Sequence, residues 1–410
     1  MPDDANAPPQ PKATSKPTTR RLATRLVRDG VMRSDHGETS EAIFMTSGYA
    51  YPSAEEAARR LGENDDFTYS RYGNPTVRML EARLCSLEGA QGCRVAATGM
   101  AAIHASLAAQ VQAGDRIVGA KALFGSCRWL LTDLMPKYGV ETELVTGSDL
   151  DAWKRALSKP AKLVLIESPA NPLLDAVDIE AVAALAHAAG AELIVDNVFA
   201  SPILTRPLEH GADWVVYSCT KHMDGQGRAL AGAILGKEQP MKDRIDPYLR
   251  HTGPACSPFN AWLVLKGLET LSLRVNAMSE TAETVANAIA DHALIQAVRY
   301  PGRRDHPDYA VHAKQMDRGG TLLALSLKGG EAAAFKFLNA LQLIDISNNL
   351  GDAKSLATHP WTTTHRALEE AARRDMGLDD SWIRLSVGLE DAQDLIEDVR
   401  QALEVAGAQT

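Results

Sequence analysis

The chain has 410 residues, 45% of them hydrophobic and 23% charged, with a formal net charge of −9. This is a globular balance with length for two or three domains of ~100–200 residues each. Without an overall basic field it has no electrostatic draw toward nucleic acid, and no apolar stretch approaches the ~20 residues that span a bilayer.

Residues 1–18 are rich in Pro, Ala, Thr and Asp and are expected to be disordered. The nearby arginines (Arg20, Arg21, Arg25, Arg28) follow Asp3 and Asp4 in a serine-poor stretch, which argues against a transit peptide. A short helix is predicted over residues 20–29. An extended, irregular arm then runs to Tyr72, too poor in apolar periodicity to form a core and so expected to pack on another subunit.

From Asn74 the pattern alternates. Helical segments over 77–87, 100–110 and 179–189 separate β-prone runs at 116–118, 163–167, 193–196, 214–218 and 231–235. Strands and helices at this spacing predict an α/β large domain with a mainly parallel sheet covered on both faces. A long helix is predicted over 260–290. Strand-like runs at 322–327, 343–346 and 382–386, with helices between them, predict a smaller α+β C-terminal domain. The divisions are 1–73 for tail and arm, 74–270 for the large domain and 271–410 for the C-terminal domain.

The five cysteines form no CxxC pair and the histidines no HExxH motif, so no metal site is expected. Buried free thiols fit a reducing cytoplasm.

Four features fall at strand ends or helix starts, where an open α/β sheet presents its ligands. Lys221 follows an apolar strand and two small polar residues in Ser218-Cys219-Thr220-Lys221-His222. There it is either a surface cap or a desolvated amine able to attack an aldehyde. Asp196 ends the run Leu193-Ile194-Val195-Asp196. It either caps the next turn or pairs with a cationic ring nitrogen. In Thr98-Gly99-Met100-Ala101-Ala102 the glycine opens a helix, for close packing or for an anion at free N–H groups. Arg384, inside a β-prone run, needs a partner for its charge: an internal acid or a substrate carboxylate.

Taken in order, the blocks of this chain resemble the Cys/Met-metabolism enzymes that use pyridoxal 5′-phosphate (PLP). That family includes cystathionine γ-synthase, methionine γ-lyase and the homoserine-ester sulfhydrylases. The matching blocks are Tyr69-Ser70-Arg71-Tyr72-Gly73-Asn74-Pro75-Thr76, Thr98-Gly99-Met100-Ala101-Ala102 and Glu167-Ser168-Pro169-Ala170-Asn171-Pro172, then Asp196-Asn197, Ser218-Cys219-Thr220-Lys221-His222, Leu350-Gly351-Asp352-Ala353 and Arg384-Leu385-Ser386-Val387-Gly388. The resemblance implies the PLP-dependent transferase fold of type I, aspartate aminotransferase-like, with PLP in the large domain.

It also implies roles. Lys221 would hold PLP as a Schiff base and later shuttle protons, and Asp196 would pair with the pyridine nitrogen. Asn171 would lie by the phenolic oxygen, and Gly99, Met100, Ser218 and Thr220 would bind the phosphate. Tyr69 and Arg71 would reach the phosphate of a neighbouring subunit. The implied assembly is a homo-oligomer: a symmetric dimer completes each site, and a homotetramer is a dimer of dimers. Arg384 would hold the substrate α-carboxylate, with Asn349 nearby.

One departure stands out. Many members stack a tyrosine on the cofactor ring, whereas here the segment is Leu123-Phe124-Gly125-Ser126, and Phe124 lacks the hydroxyl. The turn Gly225-Gln226-Gly227-Arg228 and Ser347-Asn348-Asn349 resemble the O-succinylhomoserine sulfhydrylase branch. The branch implies γ-replacement, turning O-succinyl-L-homoserine and sulfide into L-homocysteine and succinate, with Arg228 as a candidate for the distal succinyl carboxylate. Cystathionine γ-synthase and O-acetylhomoserine sulfhydrylase are alternatives within that chemistry. A γ-lyase and a non-enzymatic PLP-binding regulator are alternatives outside it.

Overall fold

The computed structural model describes residues 20–62 and 67–408. The segment expected to be disordered, 1–18, lies outside them. Two sheets organise the chain.

The first has seven strands: β1 (Gly92–Ala96), β2 (Arg116–Ala120), β3 (Glu141–Val145), β4 (Leu163–Glu167), β5 (Glu192–Asp196), β6 (Trp214–Ser218) and β7 (Gly232–Gly236). Their order is β1-β7-β6-β5-β4-β2-β3. The five strands from β6 to β3 run parallel, and only β7 is antiparallel to both its neighbours. β2 and β4 are buried along their whole length. Continuous apolar runs of that kind are what a sheet covered on both faces requires.

The helices carry ordinary start and stop signals. Asn74 caps Pro75–Glu88 by accepting the Thr76 N–H, and Gly89 closes that helix at φ 78°. Asp178 caps Ile179–Ala188 through the Ala181 N–H. Each cap satisfies a backbone donor the helix cannot reach.

The C-terminal sheet contains β8 (Ile295–Arg299), β9 (Leu322–Leu327), β10 (Asp345–Ile346), β11 (Leu356–Thr358) and β12 (Trp382–Ser386), in the order β10-β11-β12-β9-β8. All its pairs are antiparallel except β10 with β11. Ile383 and Leu385 of β12 enter a core with Phe337, Val399 and Leu403. Alternation along a strand turns Trp382 and Arg384 to the opposite face, where Trp382 packs with Leu173 of the large domain. That alternation aims Arg384 at the junction between the domains.

Two expectations are revised. The predicted helix over 260–290 is two helices, Pro258–Leu268 and Leu271–Ile289. Arg274 explains the break: its Nη2 donates to Gly267 O at 2.7 Å and its Nε to Thr270 Oγ1 at 3.1 Å, so a side chain occupies the end of the first helix. Gly267 also packs so tightly that a Cβ there would lie 2.2 Å from Met223 O. The arm, expected to be irregular, contains the helix Ala54–Gly62, which buries none of its own residues. The second helix of the broken pair feeds both cores, with Val275 in the first and Val285 in the second.

Candidate active site

The carboxyl ends of β4, β5 and β6 lie side by side and open on a cavity of about 230 Å³. Glu167 and Asp196, the last residues of β4 and β5, are register partners. Opposite β6, the helix Gly99–Ala108 begins with Thr98 accepting the Ala101 N–H at 3.0 Å. The N–H groups of Gly99 and Met100 precede the first intrahelical bond, so the helix start is a ready anion site. Its glycine is dictated by packing: a Cβ on Gly99 would sit 2.6 Å from Ser218 Cβ. Ser218 and Thr220 line the same cavity.

Lys221 leaves the turn after β6 and donates through Nζ to Asn349 Oδ1 at 2.6 Å. Burial, helped by the Arg384 charge, pulls its ammonium down to about 8. An amine so displaced is uncharged in a useful fraction at neutral pH.

Arg384 is 2% exposed. Its Nη1 donates to Asn171 Oδ1 at 2.9 Å, and its Nη2 to Asn348 O at 3.0 Å and Asn349 O at 3.1 Å. Its Nε has no acceptor among the described residues. No carboxylate forms an ion pair with it among the described residues, so the alternative of an internal acid partner is not what the fold uses. Burial lowers this guanidinium to about 10. A buried cation held only by neutral oxygens is matched to an incoming carboxylate.

Asp196 accepts a single hydrogen bond among the described residues, from Val198 N at 3.2 Å. Burial pushes its carboxyl up to about 7, a group that ionises when a cation is brought to it. Glu167 is buried next to it, and burial together with the Asp196 charge raises its carboxyl well above the usual range. Its two oxygens accept the N–H groups of Phe124 at 2.7 Å and Asn171 at 2.9 Å. Phe124 presents its ring at the cavity wall.

The fold thus gathers Gly99, Met100, Phe124, Asn171, Asp196, Ser218, Thr220, Lys221 and Arg384 around one cavity, with Asn349 bonded to Lys221. Three residues lie elsewhere in the single chain. Arg71 donates to Arg250 O and lies over the Tyr72 ring at 4.7 Å, with Tyr69 beside it. Arg228 is pinned to Asp224, through Nε at 3.0 Å and its own N–H at 2.6 Å, and does not line the cavity. Glu167 carried no role in the sequence reading, and neither did Asn348. The apolar strand before Glu167 was the one local signal, the same signal that marked Asp196.

The donor set fits PLP. An anion-binding helix start with two hydroxyls suits the phosphate, a half-desolvated amine suits the aldehyde, and a buried carboxyl suits a ring nitrogen that must stay protonated. The comparisons agree. A model of the Cys/Met metabolism PLP-dependent enzymes matches residues 23–404. O-succinylhomoserine sulfhydrylase of Mycobacterium tuberculosis is 50% identical over 93% of this chain and 95% of its own. L-methionine gamma-lyase of Pseudomonas putida is 38% identical over 94% and 98%. A crystal structure of cystathionine gamma synthase from Xanthomonas oryzae pv. oryzae, in complex with aminoacrylate and cysteine, superposes with a TM-score of 0.91 at 34% identity, covering 95% of this chain and 99% of that one. From cavity, fold and sequence alike, this chain belongs to the Cys/Met-metabolism family of PLP-dependent enzymes.

Proposed function

We propose that the chain catalyses γ-replacement on O-succinyl-L-homoserine: the Cγ–O bond breaks, succinate leaves, and sulfide forms the new C–S bond of L-homocysteine. The similarity to the mycobacterial sulfhydrylase across nearly the whole chain carries this choice. Within the cavity, Gly99, Met100, Ser218 and Thr220 take the cofactor phosphate, Asp196 the ring nitrogen and Asn171 the phenolic side. Tyr69 and Arg71 serve the phosphate in a neighbouring copy, which makes the working form a homo-oligomer, in this reading a homotetramer of the cytoplasm. Bound PLP supplies an electron sink for charge developing at Cα and Cβ.

The remaining work falls to side chains of this protein. Lys221 would hold the cofactor through Nζ and, when that amine is free, would carry protons at Cα and Cβ of the substrate. Its pKa near 8 suits both directions of transfer. Arg384 holds the α-carboxylate, and Asn349 keeps Lys221 directed into the cavity. Phe124 offers an aromatic face without an ionisable hydroxyl, which leaves proton transfer to Lys221 and favours replacement over elimination.

A product assay tests the reading. Purified protein with bound PLP is given the succinyl and acetyl esters of homoserine, each with sulfide and with cysteine. Homocysteine from the succinyl ester and sulfide is the expected main product. Cystathionine, or 2-oxobutyrate with ammonia, as the main product would reject the assignment and leave the cofactor chemistry standing.

A further inference from the structure

Glu167 forms part of the cavity wall, yet the chemistry above gives it no task. Its placement is costly: the side chain is 1% exposed and its register partner on the adjacent parallel strand is Asp196, another carboxyl. Neighbouring strands stand ~4.8 Å apart, so like charges here repel. Arg384, Lys221 and Cys127 lie around the same cavity, and none of them forms an ion pair or hydrogen bond with Glu167 among the described residues. For stability alone, an apolar residue of similar size would avoid both desolvation and repulsion.

What Glu167 does hold is two backbone N–H groups, one on each oxygen, from the segments that follow two paired strands, β2 and β4. Phe124 opens a short helix, with backbone φ −49° and its ring partly exposed. Asn171 lies in the loop after β4, and its Oδ1 receives Arg384 Nη1. We infer that Glu167 is a positioning residue for both halves of the ligand site: one oxygen fixes the aromatic wall that faces the cofactor, and the other fixes Asn171 and through it the guanidinium that faces the substrate. An amide cannot substitute. Its NH₂ would confront one of the two N–H donors, and that segment would lose its anchor.

The inference rests on the cofactor and substrate reading above, and its test separates the two. Holoenzyme and the Glu167→Gln variant are compared by PLP titration of the stripped proteins, by the visible circular dichroism of the bound cofactor, and by kinetics. The loss of one buried hydrogen bond should weaken PLP binding by about tenfold. The dichroic band should shrink and KM for the amino-acid ester should rise. An unchanged dissociation constant and dichroic band in the variant would overturn the inference, whatever happens to thermal stability. Wild-type protein that binds no PLP would instead overturn the cofactor reading.

Should Glu167→Gln fail to fold, hydrogen exchange on wild-type holoenzyme decides. Slow exchange of the Phe124 and Asn171 amides supports the clasp. Exchange as fast as that of neighbouring loop amides rejects it.

Discussion

Two buried arginines of this protein sit in opposite surroundings. Arg83, on the helix Pro75–Glu88, is fully enclosed: Nη2 meets Glu41 Oε1 at 2.5 Å, Nε meets Asp29 O at 2.9 Å and Nη1 meets Leu265 O at 3.3 Å. Lys266 closes the cluster on the other Glu41 oxygen at 2.5 Å. Against the cost of burial, Lys266 and Arg83 hold the Glu41 carboxyl below its usual range. Arg384 is as deeply buried, but among the described residues its acceptors are all neutral and Nε has none. Nearby, Asp196 and Glu167 are raised by burial rather than lowered by partners.

The first cluster completes its charges within the chain and ties the N-terminal arm to the large domain. The second leaves its charges open to a ligand. Burial of an arginine does not separate structure from chemistry; the identity of its partners does.

The sharpest way to test the contrast is at Lys221, whose Nζ donates to the neutral Asn349. Lys221→Ala should lose about a thousandfold or more in kcat, and borohydride should no longer fix the cofactor to the chain. Circular dichroism in the far ultraviolet should stay native. A variant that keeps activity would break the comparison at its centre.

The arginines come next. Arg384→Ala should lower kcat/KM by about 10²–10³-fold, corresponding to the ~2–5 kcal/mol of a truncated charge pair. Its urea midpoint should hardly move. Arg83→Ala should do the reverse, costing roughly 3–5 kcal/mol of stability by leaving Glu41 with Lys266 alone, with kcat/KM nearly unchanged. Equal destabilisation by both substitutions would erase the distinction.

The smallest effect is in pH dependence. In cofactor-free protein Asp196 titrates near 7, above its ordinary 3.8, so between those values the folded state holds more protons than the unfolded. Its contribution is fully present below about 4 and is lost as pH rises to 7. Glu41 has the opposite sign: its contribution is present above the ordinary carboxylate range and is lost as pH falls through the depressed folded value. Asp196→Asn should therefore gain on wild type as pH rises from 4 to 7. Glu41→Gln should be less stable than wild type above the ordinary carboxylate range, and that gap should close as pH falls below it. Parallel curves in denaturant titrations would contradict both assignments.

Much of the frame was legible from local pattern. The runs at 163–167, 214–218, 322–327 and 382–386 are strands with those same bounds, because each is a short, mostly apolar and β-prone run. β3 escaped because Glu141–Val145 opens with Glu141-Thr142-Glu143 and has only two apolar residues, Leu144 and Val145, at the sheet edge, where one side needs no partner strand. β1, β8 and β11 are short and were also unmarked. The helix break at Thr270 was hidden because its cause, Arg274 reaching back to Gly267, is a side-chain contact rather than a breaker residue.

At the site, Lys221 and Asp196 stood out because each follows an apolar strand, and the PLP motifs placed them together. Glu167 follows the same pattern. Its task is invisible in one dimension, since Phe124 is 43 positions away and bonds through its backbone N–H.

By itself the sequence offered the candidates: an amine just after a β-prone run, an acid and an arginine within such runs, a glycine at a helix start, and a phenylalanine in Leu123-Phe124-Gly125-Ser126. Tertiary structure alone decided which of those charges are left open. Arg83 and Arg384 have the same side chain, and only the packing of distant segments gives one a carboxylate and the other three neutral oxygens. Desolvation and pairing are set by what surrounds a group in space, and a chain read residue by residue does not contain that surrounding.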